Sequence, residues 1–570
     1  MALDISLLVA ASAVSLVIIL IRRLASNSAS TRLAHFPRGP PTLPLLGNLH
    51  QMPLSRDYLT YADWAGSSAT SSDGILGLKL GSTVRVVVLN RWRQVRDLLD
   101  ARGAIYSSRP RVPATEFVLP PPGDVHTAFM EYGPKWRRTR RAITEFTKDD
   151  ALERLLPIQD AESTQLIWDL LQDSSSSSST ADNGRYQDHA FRSFAGVILA
   201  SVFGQRAKDS DPAGKARRFF DVQEDWAAIL AGGAFPPLNV FPWLRHVPSV
   251  LTPWKGWRER AADIRRRQQG LYEELHAETV ERMRAGKSQD CFFARLIAEQ
   301  DQLAQAGKGK EVFTQLELTY IGGFMLEGGS DTTAMAFLTL ALAMAAFPDI
   351  QKEAQAELDA VFGTENMPHS VSGRELPFLK ACFLETLRWR PGLTTAIPHA
   401  TTADDTYKGY FIPKGTAVMM NTWAINHDPD EFDEPDEFRP SRFLTNRFGA
   451  KGDKTNANER GEEEEEKGVG AGEDHKGRRE AYAFGAGRRV CPGQKMAETS
   501  VMLSTAKLLW AFDVRSPAPR VDTGVRTAFS DSILMGPNKF PVVFEVRSES
   551  KREVIRREWE KADAFMGRFE

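Results

Sequence analysis

AYAFGAGRRVCPGQKMAETS spans residues 481–500 and sets one cysteine, Cys491, among glycines and arginines ahead of a stretch with helical spacing. The chain has three cysteines, and the other two, Cys291 and Cys382, lie far away in sequence. Phe484, Gly487, Arg489, Cys491 and Gly493 stand at fixed intervals along this loop. A thiolate that ligates a metal must be deprotonated, so it needs donors or positive charge beside it. Glycines on both sides leave backbone N–H groups able to point at the sulfur. The helix expected after Pro492 aims the positive end of its dipole back at it. Arg489 is placed to pair with a carboxylate on a bound group. The competing reading is a buried inert cysteine, the usual fate of a lone one, but the spacing is too specific for that.

Composition narrows the classes. The chain has 570 residues and a formal net charge of −2. At roughly 150 residues per domain, the length alone favours several domains. Nearly balanced charge argues against a nucleic-acid binder, which carries a basic face. Three scattered cysteines make no disulfide framework and cannot complete a zinc site. That usage fits a thiol-preserving, cytosol-facing compartment. The N-terminus stands apart: ISLLVAASAVSLVIILI, residues 5–21, is uncharged and is followed at once by Arg22 and Arg23. Positive charge after the apolar run, not before it, favours a retained single-pass anchor over a cleaved signal peptide.

Residues 1–23 are therefore expected as a membrane anchor and 24–53, with Pro37, Pro40, Pro41 and Pro44, as a stiff linker. GILGLKLGSTVRVVVLN, residues 74–90, reads as two strands around a Gly81-Ser82 turn, and helical patterns dominate from Trp92 onward. Three segments are expected as solvated surface: the serine run 174–179, the acidic stretch 447–479 and a charged tail 548–570. The longest helix candidate runs from Thr314 to Phe347, about 50 Å at the standard rise. GGFMLEGGSDTTA lies in its middle, residues 322–334. Glycine pairs cost stability inside a helix. They permit either tight helix packing or the close approach of something flat.

A single axial thiolate is one way proteins hold haem iron. The Cys491 loop resembles the haem-binding loop of the cytochrome P450 superfamily, the haem-thiolate monooxygenases. Other segments agree in order. WRRTR resembles the helix in which Trp136 and Arg140, four apart, reach a haem carboxylate. GGSDTT, residues 328–333, resembles the oxygen-binding helix, where Asp331 and Thr332 fill the places of an acid–hydroxyl pair that relays protons. ETLR resembles the buried Glu-x-x-Arg motif, with Glu385, Arg388 and Arg442 as structural residues; Ser441 stands where the family often has Glu. IPHA places His399 where a further haem-carboxylate partner is found. His427 reads as structural.

The resemblance implies a mainly α fold with small β-sheets, a single catalytic domain over residues 54–547 that overrides the length prior. It implies haem b held by Cys491, with Trp136, Arg140, His399, Phe484 and Arg489 around it. The implied reaction inserts one oxygen atom from O2 into a small hydrophobic molecule, and the nearest resemblance is to microsomal fungal members of secondary metabolism. Electrons would come from NADPH through a separate reductase, with cytochrome b5 as a second donor, because no dinucleotide-binding turn is present. Lys135, Arg137, Arg138, Arg488 and Lys495 are candidates for the docking face. The implied location is the endoplasmic reticulum membrane, with the catalytic part facing the cytosol. Two alternatives are a haem-thiolate isomerase or dehydratase that needs no reductase, and a non-catalytic haem sensor. By the resemblance, the substrate space would draw on residues 105–125, 324–327, 393–397 and 529–533.

Overall fold

A computed structural model describes residues 33–71, 73–175, 185–207, 214–287, 291–307, 312–451 and 475–570. The expected anchor, most of the serine run and the middle of the acidic stretch lie outside the described residues. In chain order the elements used below are α1 (Asp57–Gly66), β1 (Ile75–Leu80), β2 (Val84–Leu89), α2 (Pro134–Phe146), α3 (Asp149–Ser175), α4 (Arg185–Ile198), α5 (Lys215–Leu230) and α6 (Trp257–Arg284). They continue with α7 (Phe292–Gln305), α8 (Gln315–Ala346), α9 (Pro348–Phe362), α10 (Pro377–Trp389), β3 (His399–Ala400), β4 (Asp405–Tyr407), β5 (Tyr410–Ile412) and β6 (Ala417–Met420). The last are α11 (Gln494–Ala511), β7 (Phe512–Arg515), β8 (Val543–Val546) and α12 (Glu549–Met566). The architecture is mainly helical with small sheets, as expected.

Helix α8 is the axis of the molecule. A capping box starts it: the Glu317 N–H donates to Thr314 Oγ1 at 3.2 Å and the Thr314 N–H donates to Glu317 Oε2 at 2.8 Å. Pro348 stops it, because the residue before a proline is pushed out of the helical region, and Phe347 sits at φ −125°, ψ 75°. Between these signals the helix is apolar nearly all round, the pattern of a helix enclosed on every side. Helices α4, α6, α10 and α11 pack around it. Three of its glycines serve that packing. A Cβ on Gly322 would fall 2.8 Å from the Phe203 ring, on Gly323 2.3 Å from the Tyr272 ring, and on Gly329 2.4 Å from Ile198.

The larger sheet runs in the order β1-β2-β6-β3. Its first pair is the expected hairpin, with Gly81 at φ 62° in the turn. β2 then pairs in parallel with β6, which pairs antiparallel with β3. This register carries His399 inward, opposite Val418.

The charged tail differs from expectation. Ser548 caps α12, which packs along α3 with Val554 and Ile555 buried. Trp559 stacks on Trp168 with centroids 4.4 Å apart, and its Nε1–H donates to Gln165 at 3.0 Å. The ends of the acidic stretch are also interior: Phe448, His475 and Arg478 are buried. The His475 ring stacks on Phe448, and Arg478 meets Glu431 at 2.5 Å.

Candidate active site

The Cys491 loop is built by two short 3-10 turns, Tyr482–Phe484 and Gly487–Arg489. The Cys491 N–H closes it by donating to Phe484 O at 2.8 Å. Gly487 has two reasons to be glycine. It sits at φ 63°, and a Cβ would lie 2.3 Å from Leu99 O. Its N–H donates to Asp100 Oδ1 at 2.8 Å, which fixes the loop to the chain end of the segment after β2. α11 starts directly after Gly493 and packs on α8. Burial pushes the Cys491 thiol up, while the Gly493 N–H and the charge of Arg140 pull the other way.

Trp136, Arg140, Arg489 and the Cys491 loop lie together. The Arg489 guanidinium lies over the Trp136 ring, 4.1 Å from its centroid. Arg140 Nη2 donates to Val490 O at 2.5 Å. Arg489 also donates to three backbone carbonyls: Ser107 at 2.8 Å, Thr127 at 3.3 Å and Met130 at 2.7 Å. The sequence reading missed Arg109, which lies beside this group. It is buried and donates to Ala128 O at 2.9 Å, Ile397 O at 2.5 Å and Pro398 O at 2.9 Å. Only its place in a serine- and proline-flanked SSRP run marked it.

Among the described residues, none of Arg109, Arg140 and Arg489 lies within ion-pair distance of a carboxylate, and each feels another positive charge or burial. Burial and then the charges of Arg109 and Arg140 hold Arg489 down at about 8. Burial holds Arg109 down at about 9. A site that gathers one buried and two half-buried cations with no carboxylate among their partners suits an anionic guest. His399 joins this group differently. Its Nδ1 lies 2.7 Å from Tyr106 O, and burial followed by Arg109 holds the ring down to about 3. It is neutral there, with Nδ1 as the donor, so Nε2 can only accept until a neighbouring anion raises its affinity for a proton.

α8 contributes an open face. Phe324, Gly328 and Thr332, four residues apart, are accessible on a helix whose other faces are buried, and a Cβ on Gly328 would meet nothing within 4 Å. The two readings of the glycine pairs therefore divide, with Gly328 facing open space and the others allowing packing. Thr332 Oγ1 donates to Gly328 O at 3.0 Å. Asp331 points elsewhere, as adjacent helical residues must. It is buried, and its Oδ1 has no partner. Burial, then the charge of Glu327, pushes its carboxyl up to about 7. A raised carboxyl stabilises the fold at low pH, and that contribution is lost as pH rises from about 4 to about 7. Asp331→Asn is therefore expected to gain about 2 kcal/mol over wild type between about pH 5 and about pH 8. Urea unfolding of both proteins at the two pH values checks this.

The Glu385 cluster is complete. Glu385 is fully buried and accepts from Arg388 Nε and Nη2 at 2.7 Å each. It also accepts from Arg442 Nε at 3.1 Å and from the Arg439 N–H at 2.8 Å. Arg388 reaches on to the carbonyls of Asn426, Pro435 and Glu437, so the cluster fixes the segment leading toward the Cys491 loop. Serine at 441 costs this cluster nothing. His427 is buried and stacked on Trp423. In the segment 529–533, Phe529 is fully buried against Trp389, and Ile533 is exposed.

These features match a known class. The cytochrome P450 family model matches residues 37–544, and the chain belongs to that family. It is a P450 monooxygenase, and the family implies haem. It is 32% identical over 555 residues to the cytochrome P450 monooxygenase yanC of Aspergillus niger, covering 96% of each chain. It is 33% identical over 551 residues to acuC of Aspergillus aculeatus, again covering 96% of each. A zebrafish cytochrome P450 structure with progesterone superposes with a TM-score of 0.66 at 22% identity, over 86% of this chain and 99% of that one, and shares the fold.

Proposed function

We propose that this monooxygenase holds haem b through Cys491 and inserts one oxygen atom from O2 into a small hydrophobic molecule in fungal secondary metabolism. The observation that carries the haem assignment is the set of three cations, buried Arg109 and half-buried Arg140 and Arg489, converging beside the Cys491 loop with backbone carbonyls as their hydrogen-bond partners. They fit a flat group bearing two carboxylates, and the open face of α8 offers room for its plane. Bound haem would supply the oxygen-activating chemistry, and the Cys491 thiolate as its ligand would favour O–O cleavage.

The protein's part is placement and proton supply. Trp136, Arg140, Arg489 and, once an anion charges it, His399 hold the carboxylate edge. Phe484 closes the cysteine loop through its carbonyl. Gly493 N–H and Arg140 favour the thiolate. Thr332 Oγ1 faces the open side of α8, and Asp331, holding its proton near neutrality, is the reservoir one residue away. Because Asp331 is buried on a different side of α8 from Thr332, a proton leaving it must pass through water or a rotamer change to reach the Thr332 side. Intact Asp331 and Thr332, and relatives named as P450 monooxygenases such as yanC and acuC, favour oxygenation over reductase-free isomerisation. With a reductase, NADPH and a panel of apolar small molecules under isotopically labelled O2, a product gaining one labelled oxygen is expected. NADPH and O2 consumption at background with every compound would remove this reading.

A separate NADPH-dependent reductase, with cytochrome b5 as a second donor, would dock at the basic face. Lys135 and Arg138 are committed to Glu317 at the start of α8, at 3.1 and 3.3 Å. Lys495 pairs with Asp149. Arg137 and Arg488 remain exposed and flank one ring, Tyr132, at 5.7 and 5.4 Å. Reversing both to Glu is expected to slow reductase-driven reduction at least about tenfold at low salt. The spectrum of the carbon monoxide complex should stay unchanged. Stopped-flow reduction under carbon monoxide measures both.

The membrane assignment has separate support. Leu45, Leu54, Trp243, Val250 and Leu251 are each exposed over more than half their surface. Their two segments adjoin: a Cβ on Gly233 would meet Leu54 at 2.6 Å, and one on Gly81 would meet both Val240 and Leu45 O. Such an apolar patch suits a bilayer surface. With residues 1–23 as anchor and 24–53 as linker, it favours a single-pass endoplasmic reticulum protein whose body, 54–547, faces the cytosol.

A further inference from the structure

One buried carboxylate is tied by three donors from two other parts of the chain and has no place in the reaction as described. Glu327 on α8 accepts from His126 Nε2 at 2.8 Å through Oε2. Its Oε1 accepts from the Tyr272 hydroxyl at 2.5 Å and from Gln268 Nε2 at 3.2 Å, both on α6. All these side chains are buried. The Ala128 N–H donates to His126 Nδ1 at 3.3 Å, so Nε2 carries the hydrogen that meets Glu327. Three buried donors take up most of the acceptor positions of this carboxylate.

What it holds is the turn that follows His126. The carbonyls of Thr127 and Met130 hold Arg489, and that of Ala128 holds Arg109. The His126 ring is wedged between Phe129 at 5.0 Å and Phe324 of α8 at 5.4 Å, so the tie and the apolar contacts act on the same short segment. Arg265 of α6 grips the same connection further back, at the carbonyls of Val118 and Leu119. Gly323 is required for the arrangement, because Tyr272 lies flat against it.

We propose that His126 and Glu327 are positioning residues for the haem carboxylates. The tie fixes the 126–130 turn against α8, and the carbonyls of that turn aim Arg489 and Arg109. Loss of the tie loosens the grip on the prosthetic group from a distance. The inference rests on the reading of Arg109 and Arg489 as partners of those carboxylates.

The test is the rate of haem loss from ferric holoprotein to excess apomyoglobin. His126→Phe keeps the ring contacts and removes the donor. It is expected to speed haem loss about tenfold, the low end of what outer-shell partners contribute to a bound metal centre. His126→Gln, whose amide can donate to Glu327, is expected to return the rate to near wild type. Glu327→Gln, close to the native volume, should show an intermediate rate if His126→Phe fails to fold. Arg489→Leu should speed haem loss on its own, and its combination with His126→Phe should give less than the product of the two effects. Unchanged loss in Arg489→Leu would sink the carboxylate reading. Faster loss in Arg489→Leu with wild-type loss in His126→Phe and Glu327→Gln, or effects that simply multiply, would sink the tie alone.

Discussion

Cys491→Ser is expected to abolish the red-shifted Soret band of the reduced carbon monoxide complex and to lower turnover by more than about 100-fold. Outer-shell partners of a metal are worth about 10- to 100-fold, and the axial ligand itself is worth more. The variant should still fold, because the loop is closed by groups serine leaves in place: the residue 491 N–H on Phe484 O, Gly487 on Asp100 and Arg140 on Val490 O. A hydroxyl also fits the space of the thiol. Difference spectroscopy of wild type and variant, read at equal haem content, measures the effect. A wild-type band without the shift, in folded and loaded protein, would mean that the thiolate is not the ligand.

The second large effect is on stability. Glu385→Ala is expected to cost about 3–5 kcal/mol. It leaves the Arg388 and Arg442 guanidiniums facing one another in the interior with their common carboxylate gone. The loss falls on α10 and on the segment 435–442 that Arg388 and Arg439 hold through the backbone. Urea unfolding of the apoprotein isolates this cost from any change in haem binding. Glu385→Gln keeps the shape and one acceptor oxygen, and should fall between the two. A cost near zero for Glu385→Ala would mean that water or a nearby acceptor replaces the carboxylate.

What could be read beforehand depended on which atoms carry the function. Side chains that ligate or pair leave a residue-type signature, so Cys491, Trp136, Arg140, Glu385 and Asp331 were legible in order along the chain. α8 was legible because Thr314, Glu317 and Pro348 bound an apolar run. Backbone acceptors leave no such mark. The carbonyls of Ser107, Thr127, Ala128 and Met130 hold two arginines, yet any residue could supply them, so Arg109 and the 126–130 turn went unseen. Glu327 was expected only within the substrate-lining run 324–327; its partners, residues 126, 268 and 272, were hidden because only the fold brings them together. In α12 the loosely spaced Ile555, Trp559 and Phe565 were read as solvated because charge dominates the tail, whereas the Trp559–Trp168 stack and a cluster of Ala562 and Met566 with Ile158 and Ala161 fix it to α3. Asp331 and Thr332 were legible as a pair, but not that neighbouring helix positions turn them to different sides.

The acidic stretch ahead of Cys491 has a consequence for how this chain tolerates change. Its ends are clamped: the Lys451 N–H donates to Glu431 O at 2.8 Å, and Arg478 reaches the side chain of that same Glu431. The His475 ring bridges Phe448 on one side and Trp92 on the other. Lys451 and Arg478 thus meet the body at one fixed point, Glu431. The entropy of closing a chain between two ends held this way grows only with the logarithm of its length, about 0.6 kcal/mol for each doubling. The anchoring of the cysteine loop a few residues on therefore rests on Glu431 and the Phe448–His475–Trp92 stack, and depends little on how long a chain joins the two clamped ends.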